Sequence, residues 1–185
     1  MTEEDVINAL STLGIRLEPA PCIGDNAQYA SPDDPARQDR GSVTIEECRL
    51  LAERAAGKNV LEIGTGLGVA TVCMATTAQS VTTVDPNEWV RSTLVLPENV
   101  TKVASVDDIN GAKYRFDFAF IDGLHTTGDV AVDIIKCRGR VRPGGFIGFH
   151  DMGQIGPIAA VGMFEWASKK EYPTLGTLTF CEIPL

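Results

Sequence analysis

The chain has 185 residues, 44% of them hydrophobic and 22% charged, which is the size and mixture of one folded domain and excludes disordered and fibrous classes. Its formal charge of −9 speaks against a nucleic-acid groove or an anionic membrane surface, since both need clustered positive charge, and favours a small-molecule partner. No apolar run reaches the length of about 18 residues that a membrane span needs.

Met1-Thr2-Glu3-Glu4-Asp5 lacks the basic and apolar regions of a secretory signal. Thr2 and Asp5 resemble a capping box, and Val6, Ile7, Leu10 and Leu13 recur at helical spacing before Gly14, so a short helix is expected. Residues 15–41 carry four prolines among Gly, Asp and Asn and read as a lid-like loop. This gives two parts, an N-terminal helix and lid over 1–41 and a ligand-binding domain over 42–185. A second capping box, Thr44 with Glu47, opens a helix with Ile45, Cys48, Leu51, Ala52 and Ala55 on one face and Gly57 after it.

From there strands and helices alternate. Asn59 to Ile63, Ser80 to Val84, Val100 to Ala104, Phe116 to Ile121 and Gly145 to Phe149 are short runs rich in Val, Ile and Phe. Helical stretches are expected from Gly68 to near Thr77, from Asp129 to Arg138 behind Thr126 or Thr127, and from Ile158 to Lys169 with Ile158, Val161 and Phe164 buried. Thr177 to Ile183 is a last strand, placed at the sheet edge. Such alternation implies an α/β fold, a single doubly wound Rossmann-like parallel sheet with helices on both faces and an antiparallel edge strand. Cys22, Cys48, Cys73, Cys137 and Cys181 form no Cys-x-x-Cys pair, and are expected to be reduced and mostly buried in a cytoplasmic protein.

Ligands of open α/β sheets sit beyond the carboxyl ends of the strands. After the first strand the chain reads Ile63-Gly64-Thr65-Gly66-Leu67-Gly68-Val69, where alternate glycines permit a tight turn and the next helix offers N–H groups to an anion. Asp85 follows the second strand, 21 residues after Gly64, where a carboxylate can accept from both hydroxyls of a ribose. A dinucleotide fingerprint requires a small residue where Val69 stands, and Glu62 would repel a pyrophosphate but suits an ammonium. S-adenosylmethionine (SAM) is therefore favoured over NAD.

The strings VLEIGTGLGVAT (60–71), VTTVDPNEW (81–89), FDFAFIDGLHTTGDVAVDI (116–134) and RPGGFIGFHDM (142–152) together resemble class I SAM-dependent methyltransferases, most closely the small-molecule, O-methyltransferase-like branch. The resemblance implies that Glu62, Gly64, Thr65, Gly66 and Gly68 surround the methionine part of SAM and that Asp85 holds the ribose. Trp89, or residues near Ser105 and Asp107, are implied to meet the adenine.

Asp122-Gly123-Leu124-His125 and His150-Asp151 end two strands that should be parallel neighbours, and these are the only two histidines of the chain. Asp122, His125 and His150 are the candidate catalytic residues, with His125 or Asp122 as the base that removes the acceptor's proton. In catechol-type O-methyltransferases the corresponding strand ends hold Mg2+, and Asp122 and Asp151 match two such positions. His150 stands where that group tends to carry a carboxylate, and nitrogen suits magnesium poorly. Asp122 and Asp151 could alternatively cap helices, and His150 could be a core histidine. The expected activity is methyl transfer to a hydroxyl oxygen of a small molecule, without nucleic acid or membrane. The rivals are an NAD-dependent oxidoreductase and a non-catalytic SAM-binding module. One strand, rather than a hairpin, is expected to finish the sheet, which leaves its edge and a homo-oligomeric state open.

Overall fold

The computed structural model describes residues 43–88, 95–111, 115–172 and 178–185. The expected N-terminal helix and lid over 1–41, together with Cys22 and Trp89, lie outside them.

Helix α1 (Ile45–Ala55) begins where the capping box places it. Thr44 Oγ1 accepts from the Glu47 N–H at 3.3 Å, and Glu47 Oε2 accepts from the Thr44 N–H at 2.7 Å. There follow β1 (Asn59–Ile63), α2 (Val69–Ala75), β2 (Ser80–Val84), β3 (Val100–Val103) and a short 3-10 turn at Val106–Asp108. The chain continues with β4 (Phe116–Ile121), α3 (Thr127–Arg138), β5 (Val141–Phe149), α4 (Ile155–Gly162), β6 (Ser168–Tyr172) and β7 (Leu178–Glu182).

The seven strands are ordered β3-β2-β1-β4-β5-β7-β6, the first five parallel and the last two antiparallel to their neighbours. Alternate residues of each central strand pack on opposite faces, which is what a strand's period of two requires when both sides are covered. Val60, Phe118, Phe120 and Phe180 join α1 and α2 in one core, while Leu61, Ala119, Ile121 and Cys181 join α3 and α4 in the other. Each fully buried Phe or Leu contributes about 1.5–3 kcal/mol. Cys48, Cys73, Cys137 and Cys181 are buried free thiols. Among the described residues no helix is long and apolar enough to cross a membrane.

Two expectations near the C-terminus are corrected. The helix expected over Ile158 to Lys169 is α4 at Ile155–Gly162, and its buried residues are Pro157, Ala160 and Val161, with Ile158 largely exposed. Proline is tolerated in the first turn, where its missing N–H has no intrahelical partner. Ser168 and Lys169, read as the helix end, instead open the strand Ser168–Tyr172, so a hairpin finishes the sheet and β7 lies inside it rather than at its edge. Its lysines favour helix in isolation, but the open edge of β7 offers a ladder of unpaired backbone groups, and lysine-rich strands are commonly found at edges. The fifth strand also starts earlier than expected, at Val141.

Candidate active site

The parallel strands bring the candidate residues together through register. Ile63 lies opposite Val84 and Ile121, Val84 opposite Val103, and Ile121 opposite Phe149. The next residues continue the ladder: Gly64 N–H donates to Val84 O at 2.9 Å, Asp85 N–H to Val103 O at 3.1 Å, Asp122 N–H to Ile63 O at 2.8 Å and His150 N–H to Ile121 O at 3.1 Å. Gly64, Asp85, Asp122 and His150 therefore stand in one row along the carboxyl edge.

The glycine turn is shaped by close approach. Gly64 has φ +93°, and a Cβ there would overlap the carbonyl oxygen of Asp122 and lie 2.6 Å from its carbonyl carbon. Thus the first turn and the Asp122 turn can touch only because residue 64 has no side chain. Gly66 N–H donates to Asp85 Oδ2 at 3.2 Å, while Asp85 Oδ1 accepts from Asn87 N–H at 2.8 Å. The turn and the aspartate expected to hold the ribose are thus hydrogen-bonded to each other.

Glu62 is fully buried in β1, with Oε2 accepting from Thr71 Oγ1 at 2.5 Å and Oε1 lacking a hydrogen-bond partner among the described residues. Burial pushes its carboxyl up to about 8, against the opposing hydrogen bonds of Thr71 and Thr83. A buried, half-satisfied carboxylate is costly, and a cationic ligand group would relieve it. Thr65 turns its hydroxyl to Thr83 Oγ1 at 2.6 Å, so it fastens β1 to β2. Ser105 caps the 3-10 turn by accepting from the Asp107 N–H at 3.2 Å, and Asp107 is exposed with its carboxylate 3.4 Å from Lys136 Nζ. These two lie at the same edge, beyond β3.

Asp122, His125, His150 and Asp151 do converge. His125 Nε2 is 3.0 Å from Asp151 Oδ2 and 3.7 Å from Asp122 Oδ1. His150 Nδ1 is 3.2 Å from Asp122 Oδ1 and 3.5 Å from Asp151 Oδ2. These are close charge contacts; neither ring aligns an N–H for a good hydrogen bond. The carboxylates of Asp122 and Asp151 hold the His125 pKa up at about 9. Burial works against charging His150, yet Asp122, Asp151 and Glu47 outweigh it and push its pKa up to about 12. Burial would raise the Asp151 carboxyl, but the two imidazoles hold it well below the usual carboxylate range. Asp151 is also the one non-glycine among the described residues with positive φ, +53°, a conformation costing about 1 kcal/mol or more that surrounding contacts must enforce.

His125 and His150 differ in access. The His125 side chain is 30% exposed, whereas His150 is 5% exposed. The sequence grouped both as candidate catalytic residues; the structure buries the second. Reading the sequence also missed Glu47, seen there only as a cap. It is buried, with Oε2 3.5 Å from His150 Nε2. A signal for it existed in the topology. The helix before β1 runs back along a strand of similar length, about 1.5 Å per residue against 3.3 Å, so its first turn must return to the carboxyl edge.

Asp122, His125 and Asp151 place one ligand atom each within 4.8 Å of one another. Magnesium demands oxygen ligands in near-octahedral array. Here both carboxylates already face imidazole nitrogens and His150 fills the space between them, so the donor set does not fit that ion.

A family model described as a methyltransferase domain matches residues 61–152, from β1 to the turn after β5. Residues 61–152 thus carry a methyltransferase domain. No curated protein matches the methyltransferase in sequence. Among solved structures, the O-methyltransferase from Bacillus cereus in complex with S-adenosylhomocysteine (SAH) superposes with a TM-score of 0.63 at 15% identity, over 98% of this chain and 92% of that one. The O-methyltransferase TomG from Streptomyces achromogenes, involved in tomaymycin synthesis and solved with SAM, gives 0.56 at 14%, over 99% and 89%. The N-methyltransferase NodS from Bradyrhizobium japonicum WM9, solved with SAH, gives 0.57 at 17%, over 84% and 94%. At such identities the likeness shows the fold of the methyltransferase, and the fold serves oxygen and nitrogen acceptors alike.

Proposed function

We propose that this methyltransferase transfers the methyl group of SAM to a hydroxyl oxygen of a small molecule. The observation that carries the reading is the row of Gly64, Asp85 and Asp122 along one edge, with His125 exposed beside Asp122 and Asp151. SAM supplies a methyl group already activated by the sulfonium. Glu62 receives its ammonium, the turn Gly64 to Gly68 and α2 its carboxylate, Asp85 its ribose, and Ser105 and Asp107 border the adenine.

His125 takes the acceptor's proton as the oxygen forms its bond to the methyl carbon and the bond from carbon to sulfur breaks. Its neighbours keep it protonated at neutral pH, so the rate should climb as the pH rises toward about 9. Leu124 and Ile155, both largely exposed apolar residues flanking this turn in sequence and in α4, suit an acceptor with an apolar body. Magnesium is given no part in the step.

The test is a screen of phenols, alcohols and amines for SAH formation, with and without magnesium, beside a His125→Asn variant. Turnover of hydroxyl compounds without added metal, abolished by the variant, is expected. Tighter binding of NAD than of SAH would overturn the reading, as would unimpaired turnover by His125→Asn.

A further inference from the structure

A glutamate that only closes a capping box needs nothing beyond its own helix end, where solvent suits its charge. Glu47 is instead 1% exposed, and a carboxylate is costly to bury unless a partner meets it. The oxygen that accepts from the Thr44 N–H at 2.7 Å also lies 3.5 Å from His150 Nε2. On the opposite side of that ring, Nδ1 faces Asp122 at 3.2 Å and Asp151 at 3.5 Å. Phe120 packs edge-on against it, ring centroids 6.3 Å apart. The imidazole is therefore a bridge between the first turn of α1 and the ends of β4 and β5. Asp122 and Asp151 would repel each other if nothing polar stood between them, and His150 is what stands there. Glu47 itself lies outside residues 61–152 that the family model covers.

We infer that Glu47 is a positioning residue: its carboxylate, 3.5 Å from His150 Nε2, holds the ring by a charge contact, so that Nδ1 stays between Asp122 and Asp151 and fixes the spacing of the two carboxylates around His125. The inference deepens the proposed function and rests on that reading for its importance to catalysis, but its geometry can be tested without turnover.

The chain has two histidines, so 15N-histidine labelling of the full chain gives two imidazole signal sets, assigned with His125→Asn. Glu47→Gln, which keeps volume and hydrogen-bonding shape but removes the charge, should displace the His150 set. Thr44→Ala, which damages the cap and leaves Glu47 in place, should lower the melting temperature without displacing that set. If Glu47→Gln fails to fold, Glu47→Asp, one methylene too short to reach, should displace it as well. Unmoved His150 signals in the folded Glu47 variant would overturn the inference, and so would equal displacement by Thr44→Ala. Titration of the wild type with SAH is scored separately: failure to bind would remove the methyltransferase reading and leave the imidazole result standing.

Discussion

The close approach of Gly64 to the Asp122 turn makes Gly64→Ala a direct test of the architecture. The new methyl group would stand 2.6 Å from the Asp122 carbonyl carbon and 2.9 Å from the Gly123 nitrogen. An ordinary contact is about 3.4 Å, so the Asp122 turn, whose carbonyl oxygen is nearer still, must retreat by more than about 0.8 Å. Left-handed backbone at a non-glycine residue costs about 1–2 kcal/mol, and overpacking against backbone about 1–3 kcal/mol more. A loss of roughly 2–5 kcal/mol is a large share of a typical stability of about 5–15 kcal/mol, and should lower the melting temperature by roughly 5–20 °C in a chain of this size. Because the retreat carries Asp122 and His125 with it, turnover should fall on the order of 100-fold. Gly66→Ala is the control. Gly66 has φ +50° but a Cβ there meets nothing within 4 Å, so the stability loss should be about 1–2 kcal/mol, while SAH affinity drops more than about tenfold because that space is where the ligand would lie. Unfolding followed by circular dichroism and calorimetric titration with SAH measure both. A Gly64→Ala protein as stable as the wild type would refute the reasoning, and so would unchanged SAH affinity in Gly66→Ala.

Three further outcomes are expected. Burial holds the Glu62 carboxyl up at about 8, and an ammonium ligand favours its ionised form. SAH affinity should therefore rise from pH 6 to pH 8 and level off above, and calorimetry on Glu62→Gln should show that slope reduced. His125 has its folded pKa raised from 6.5 to about 9, so its stabilising effect is complete below pH 6.5 and is lost as the pH climbs through 9. The urea midpoint of His125→Asn should decline less over that window than the wild type's, and parallel curves would count against the contacts with Asp122 and Asp151. Thr44→Ala removes the cap of α1 and should cost about 1 kcal/mol, or roughly 2–4 °C in melting temperature, by thermal unfolding.

Local signals fixed much of the design before any tertiary contact was considered. Thr44 and Glu47 announced the start of α1, the apolar runs marked β1, β2 and β4 to their end residues, and Gly64, Asp85 and Asp122 fell where strand ends must fall. These are decisions made by backbone sterics, capping and hydrophobic period, all of which act within a few residues. Tertiary structure alone decided the rest. Ser168–Tyr172 became a strand because β7 offered it an edge, overriding lysine-rich local preference. His150 became a buried residue, and Glu47, while still closing the helix cap, came to lie 3.5 Å from its Nε2. Such outcomes depend on which residues distant in sequence meet, and on the cost of leaving a buried charge unpaired, neither of which a linear string displays.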